Sequence, residues 1–222
     1  MGRTIAIGDV HGCAREFEKL LKKIKPQSGD RIIQVGDLIN KGPDSATCIG
    51  LAKANQIETL MGNHEWRLLR AKKEKRLQEL NSYNRSTAEE LSKSDWKFLK
   101  NLPKFIYDHR LNTIFVHGGF IPNIPWHKQC IDTVTRVQVI TQSGLPGKRS
   151  SAPKAKLWSH YWKGKERVIY GHTPRRRVYK RKQTLCLDTG CVYGGQLTAY
   201  SIEEKRLISV RAQESYCWAE LV

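Results

Sequence analysis

No run of this chain approaches the ~20 consecutive apolar residues that a bilayer-spanning helix needs, which excludes a membrane span. The opening MGRTIAIGDVHG has a short apolar run before an acid, too short for the core of a secretion signal. Gly2 follows Met1 without a second lipid signal, so no anchor is read. The cysteines Cys13, Cys48, Cys130, Cys186, Cys191 and Cys217 lack CxxC spacing. Without a secretion signal they read as reduced core or loop thiols, and the expected compartment is the cytoplasm. There is no internal repeat and no long low-complexity tract. Acids are scarce: 21 Asp plus Glu stand against 39 Lys plus Arg, a net charge of +18. Such a field speeds the arrival of nucleotides, polyphosphate or nucleic acid, although basic residues also simply keep a protein soluble.

What is present suits one domain over 1–222, with a small helical cap insertion at about 70–101. Thr4–Gly8 is β-rich, and Cys13–Lys25 has helical spacing through Phe17, Leu20, Leu21 and Ile24, closed by Pro26 and Gly29. Arg31–Val35 then reads as a strand before a helix from Asp44 to Ala54. Gln56–Met61 reads as a strand before a helix from Glu65. This alternation argues βαβ units and a parallel sheet. Arg70–Lys104 is charged, helical in pattern and expected to be mostly solvated. Asn112–His117 and Val168–Gly171 read as strands, with Ser143–Lys156 between them as a mobile Gly-, Pro-, Ser- and Lys-rich loop. Thr184–Asp188, Gln196–Ser201 and Arg206–Arg211 complete the strands.

The chemistry falls at strand exits. Asp9 and His11 lie in GDVHG, Asp37 in GDLINKGP, Asn63 and His64 in GNHE, His117 in HGG, and His172 in GHTP. Any one such turn is ordinary, but five in succession carrying ligand-type residues are hard to obtain from turn chemistry alone. Loops beyond the carboxyl ends of parallel strands converge, so these residues meet. Asp9, His11, Asp37, Asn63, His117 and His172 are more ligands than one metal needs. Carboxylate, imidazole and amide oxygen suit two divalent ions, Mn foremost, with Fe, Zn, Mg or Co also admitted. A carboxylate shared by ions ~3.5–4 Å apart would clamp a phosphoryl centre and activate water, and Asp37 is the natural bridge.

In this order, GDVHG, GDLINKG, GNHE, HGG and GHT resemble the calcineurin-like metallophosphoesterase superfamily, in its phosphoprotein phosphatase branch. LDTGCVYGGQLTAY and KLWSHYWKGKERVIYGHTP look like its diadenosine tetraphosphatase and ApaH-like groups, and similar segments occur in small bacterial and phage protein phosphatases. The resemblance runs from Thr4 to about Ser201, omitting Ser82–Asn101 and Ser143–Lys156. It implies an α/β, four-layer sandwich of two mixed β-sheets flanked by helices. It implies Asp9, His11 and Asp37 on one metal, and Asp37, Asn63, His117 and His172 on the other. His64 would be the general acid that protonates the leaving oxygen. Glu65 would orient a ligand.

Two positions depart from the protein phosphatase pattern. Asn40 stands where that branch keeps an aspartate beside the catalytic histidine, and an amide cannot stabilise imidazolium as a carboxylate does. Lys41 replaces a phosphate-gripping arginine and offers a point charge instead of a fork. Both match the ApaH-like group, shifting the expected substrate toward dinucleoside polyphosphates. A phosphoprotein is the alternative, polyphosphate or an RNA cap anhydride a third, and a non-catalytic polyanion-binding protein a fourth. Arg136 is a further candidate phosphate-facing arginine. Arg175, Arg176 and Arg177 could receive a polyphosphate tail or RNA backbone, or be a solvated charge run. Tyr193 could stack a base or pack in its turn. The six tryptophans form no stripe and read as core or cap packing, and Cys191 has no base partner that would make it a nucleophile.

Overall fold

The central strands are short and buried on both faces, so their residues alternate between two packed layers. In the computed structural model, which describes residues 2–218, the strands are β1 (Thr4–Ile7), β2 (Arg31–Gln34), β3 (Glu58–Thr59), β4 (Phe105–Asp108), β5 (Thr113–Val116), β6 (Val139–Ile140), β7 (Pro146–Gly147), β8 (Lys156–Leu157), β9 (Arg167–Tyr170), β10 (Tyr179–Arg181), β11 (Thr184–Cys186), β12 (Gln196–Ser201) and β13 (Arg206–Arg211). The helices are α1 (Ala14–Ile24), α2 (Ser45–Ala54), α3 (Asn63–Lys73), α4 (Ser82–Glu90), α5 (Lys93–Lys100) and α6 (Ile131–Arg136). One sheet runs β13-β12-β1-β2-β3, with β1, β2 and β3 parallel and β12 and β13 antiparallel. The second runs β10-β11-β9-β5-β4, with β11, β9 and β5 parallel between antiparallel edges. A small third sheet, β7-β6-β8, sits beside them.

Alternation sets the layers. Ala6, Ile33, Phe115, Ile169 and Leu185 meet between the two large sheets. Ile5 and Ile7 face outward onto Phe17, Leu20 and Ile24 of α1 and Ile49 of α2. Ile114, Val116, Val168 and Tyr170 face the opposite outside, under Val134, Phe120 and Trp158. The expected mixed-sheet sandwich is therefore the architecture. α1 ends at Ile24 because Lys25 turns left-handed at φ 50° and Pro26, which lacks an N–H, follows.

Several sequence expectations change. The 70–101 segment is not merely solvated. Its lysines and arginines are largely exposed, but Leu91 and Leu99 join the α1–α2 core, with Leu77, Leu80 and Trp96 packed against it. The Ser143–Lys156 loop is tied down, since β7 pairs with β6 and the Arg149 N–H donates to Gln138 Oε1 at 2.9 Å. Strands β4 and β10 were not anticipated; each is an edge strand that pairs antiparallel with the strand immediately after it, β5 and β11, across a short polar turn. Trp218 does not pack and is 87% exposed. All six cysteines are free, and no helix among the described residues is long and apolar enough to cross a membrane.

Candidate metal centre

Six parallel strands end at one place, and each exit carries a polar group. Asp9 and His11 follow β1, Asp37 follows β2, Asn63 and His64 open α3 just after β3, and His117 and His172 follow β5 and β9. Asp188 follows β11. His11, Asp37 and His172 hold left-handed backbone at φ 50°, 55° and 65°. Such φ values are uncommon for non-glycine residues and persist only where surroundings impose them. Here the Asp37 carbonyl accepts N–H bonds from Val10 (3.1 Å) and His11 (2.8 Å), locking the first two turns together. Glycines leave room beside them: a Cβ on Gly171 would overlap Asp9 Oδ1, and one on Gly62 would overlap Asp37 Oδ1 and lie 2.5 Å from Glu65 Oε2.

His11, His117 and His172 each have one ring nitrogen committed to a carbonyl, which aims the other at the centre. His117 Nδ1 bonds the Val35 carbonyl (3.0 Å), His11 Nδ1 the Ile39 carbonyl (3.3 Å), and His172 Nε2 the Arg136 carbonyl (2.9 Å). His117 Nε2 then faces Asn63 Oδ1 at 3.1 Å and Asp37 Oδ2 at 3.2 Å. Three acceptors pointing at one another are reconciled only by a cation among them. Asp37 belongs to two such clusters, with His11 and His64 and with His117 and His172, each with ligand atoms within 4.8 Å. Asp9 lies outside both, accepting the His172 N–H at 3.0 and 3.2 Å.

Electrostatics lead to the same conclusion. Burial pushes the Asp9 carboxyl well up, with the Asp188 charge adding to it, and pushes Asp188 to about 6. Asp37 stays ionised well below its ordinary range; burial opposes this, but His117 and His64 outweigh it. Burial opposes charging His117 too, yet Asp37 raises it to about 9, so a proton takes the place a cation would fill. Burial lowers His11 and His172 to about 3, keeping their lone pairs free, as metal ligation requires. Lys41 Nζ reaches His11 Nε2 at 3.2 Å, a second cation drawn to a ligand lone pair. The donor set therefore fits divalent metals.

Glu65 is buried and accepts three backbone N–H groups, from Asp37 (3.1 Å), Ile39 (3.1 Å) and Gly62 (2.9 Å). Burial and the Asp37 charge push it to about 7. Three donors facing its two oxygens still call for the ionised form. Asn40 sits beside the ring of His64, with Nδ2 2.8 Å from Nδ1, and its backbone is left-handed at φ 78°. Burial holds His64 well below its ordinary range, Asp37 opposing this and Lys41 adding to it.

A cavity of 240 Å³ opens over the centre, lined by Asp9, His11, Asp37, Lys41, Asn63, His64, Arg136 and His172. Arg136, through its place in the lining, joins the sequence-picked residues in one site. Arg67, Gln138, Lys148, Ser150 and Asp188 also line it and were not singled out from sequence. Asp188, in LDTG, obeys the same strand-exit rule and could have been found by it; Arg67 and Lys148 carry no such signal. Gln138 donates to the His172 carbonyl at 3.0 Å and accepts from Arg149, which holds the Lys148 loop at the rim. Tyr193 is half-buried against the core and also lines the cavity: its hydroxyl accepts from Lys41 Nζ at 2.7 Å and its ring lies 6.5 Å from that of His11. Arg175 stacks on Tyr179 at 4.3 Å, while Arg176 and Arg177 are exposed.

The family model described as calcineurin-like phosphoesterase matches residues 2–201. An asymmetrical bis(5'-nucleosyl)-tetraphosphatase PrpE from Oceanobacillus iheyensis is 30% identical, with 95% of this chain and 92% of that protein covered. Serine/threonine-protein phosphatase 1 from Salmonella typhimurium is 32% identical, with 89% and 90% covered. A crystal structure of a protein provisionally described as a diadenosine tetraphosphatase superposes with a TM-score of 0.84 at 32% identity, covering 95% of this chain and 94% of that one.

Proposed function

Since the chain belongs to the calcineurin-like phosphoesterase family, metal-dependent hydrolases of phosphoric ester and anhydride bonds, we propose that its substrate is a dinucleoside polyphosphate, cleaved at a centre holding two divalent ions, Mn foremost. Asp9, His11 and Asp37 would hold one ion, and Asp37, Asn63, His117 and His172 the other. The observation that carries this reading is the sharing of Asp37 by two clusters of ligand atoms. When bound, such a pair lowers the pKa of water and neutralises phosphoryl oxygens. Lys41, Arg136, Arg67 and Lys148 line the same cavity and would bind the anionic chain of the substrate. His64 would present Nε2 to the leaving oxygen, with Asn40 orienting its ring from behind. The relatives named as tetraphosphatases and the Asn40–Lys41 pair support an anhydride.

A second reading, a phosphoserine or phosphothreonine phosphatase, is supported by the 32% identity to the Salmonella enzyme. The two separate in one assay: Mn-loaded protein is given diadenosine tetraphosphate or a phosphopeptide at equal enzyme, beside Asp37→Asn. Faster metal-dependent nucleotide release, lost in Asp37→Asn, is expected. Faster release of phosphate from the peptide would move the assignment to the second reading.

A further inference from the structure

A third cluster of ligand atoms lies in the core at the start of α1. Cys13, Glu16 and Cys191 each offer one ligand atom, all within 4.8 Å of one another, and the residues are 0%, 0% and 2% exposed. None of them is a candidate ligand of the Asp37 centre. Cys13 is the N-cap of α1 and Glu16 lies in its first turn, three residues on, so one helix end presents both. Cys191 comes from the turn between β11 and β12.

The Glu16 carboxylate is only half satisfied. Its Oε1 accepts the Gln213 N–H at 2.9 Å and the Tyr216 hydroxyl at 3.1 Å, which leaves Oε2 buried without a donor. Helix capping does not account for it, because the Cys13 N–H donates instead to the Val10 carbonyl at 3.1 Å. The Cys13 thiol is turned toward the His11 carbonyl, 3.8 Å away. No cationic side chain pairs with Glu16 among the described residues. A carboxylate buried in this way is costly unless a cation meets it. Two sulfurs beside the carboxylate select a thiophilic ion, zinc foremost, over the harder ions that suit the Asp37 centre. Cys48 of α2 is buried in the same core cluster and leaves a further thiol for a fourth position.

We propose that Cys13, Glu16 and Cys191 form a separate, structural metal site that takes one zinc ion. The ion fastens the start of α1 to the β11–β12 turn and, through the bonds at Glu16 Oε1, to the segment after β13. The first two of these segments run directly on from His11 and Asp188, so the ion braces the floor of the catalytic cavity without touching substrate.

The test follows the ultraviolet sulfur-to-cadmium charge-transfer absorption as cadmium is added to the reduced, chelator-treated full chain. The Asp37 centre offers only oxygen and nitrogen, so the band reports cysteine ligation. The native chain should give a saturable band that zinc, added first, suppresses. Cys13→Ala and Cys191→Ala should each remove it, and Glu16→Gln should weaken zinc suppression by about tenfold or more. Cys130→Ala, at an exposed thiol, should leave it unchanged. A second measurement needs no variant: in urea just below the unfolding midpoint, zinc should protect Cys13 and Cys191 from alkylation, mapped by peptide mass spectrometry. A native chain without the band, a band retained when Cys13→Ala and Cys191→Ala are combined, or alkylation indifferent to zinc would overturn the proposal. So would a Cys13–Cys191 disulfide in chain isolated without reductant, which would make the pair a redox couple instead.

Discussion

Removing the carboxylate of Glu65 tests whether one side chain fixes two ligand-bearing turns. Its oxygens accept the N–H groups of Asp37, Ile39 and Gly62, so it spans the exits of β2 and β3. Glu65→Ala leaves three buried donors without partners, each costing about 1–3 kcal/mol. Part of that is offset by no longer burying a charge beside Asp37, so the expected net loss is about 3–5 kcal/mol, a large share of a typical stability of roughly 5–15 kcal/mol. Glu65→Gln can place its one oxygen on the Asp37 and Gly62 donors, where Oε2 now sits. Its amide nitrogen then faces the Ile39 N–H, leaving one orphan donor and a loss of about 1–3 kcal/mol. Because Ile39 also holds the ring of His11 through its carbonyl, Glu65→Gln should weaken Mn affinity or turnover by roughly 10–100-fold. Urea unfolding with matched slopes and Mn titration of p-nitrophenyl phosphate turnover measure both. Equal destabilisation by the two substitutions, or a Glu65→Ala loss below about 1 kcal/mol, would refute the three-donor account.

Other outcomes follow from separate parts of the structure. Trp158 is buried, yet its indole N–H has no partner; Trp158→Ala should cost about 3–5 kcal/mol, whereas Trp158→Phe should cost far less in thermal unfolding, having no hydrogen bond to lose. Asp30 is held at about 2, below its ordinary 3.8, chiefly by the Arg3 side chain. A depressed carboxyl stabilises above its unfolded value and loses that contribution as pH falls through the folded one, so Arg3→Met should lower stability by about 1 kcal/mol at pH 7 and by less near pH 1, where only its bonds to the Ile24 and Lys25 carbonyls are lost. Mn at about a hundred times its dissociation constant should stabilise the native protein by ~2.7 kcal/mol, read as a rise in melting temperature that Asp37→Asn largely abolishes.

Much of the centre was legible because its residues sit where strands stop. A parallel strand of four residues ends in a turn, and an acid or histidine there has few reasons to recur five times. Asp188 obeyed the rule but sat within a segment notable for its glycines. What stayed hidden depends on distance in space without a local pattern. Asn84 accepts from the Asn40 amide only because α4 brings it within 2.6 Å of that side chain, forty-four residues away, and no periodicity announces that meeting. Lys148 reaches the rim because β7 pairs with β6, a two-residue ladder too short to mark in sequence. The charged stretch after Arg70 misled because its inward residues, Leu91 and Leu99, are sparse among lysines and acids that face water.

His117 rises from the second sheet and donates to the Val35 carbonyl of the first, while the His172 N–H donates back to Asp9. The candidate ligands are thus divided between two slabs, with Asp9, His11, Asp37 and Asn63 on one and His117 and His172 on the other. The first slab alone carries Asp9, His11 and Asp37, whereas the set of Asp37, Asn63, His117 and His172 is completed only across the seam. Any opening that lets the slabs slide apart would release the ion of that second set before it unravels a strand, so loss of one of the two metals bound there would be the earliest sign of that opening.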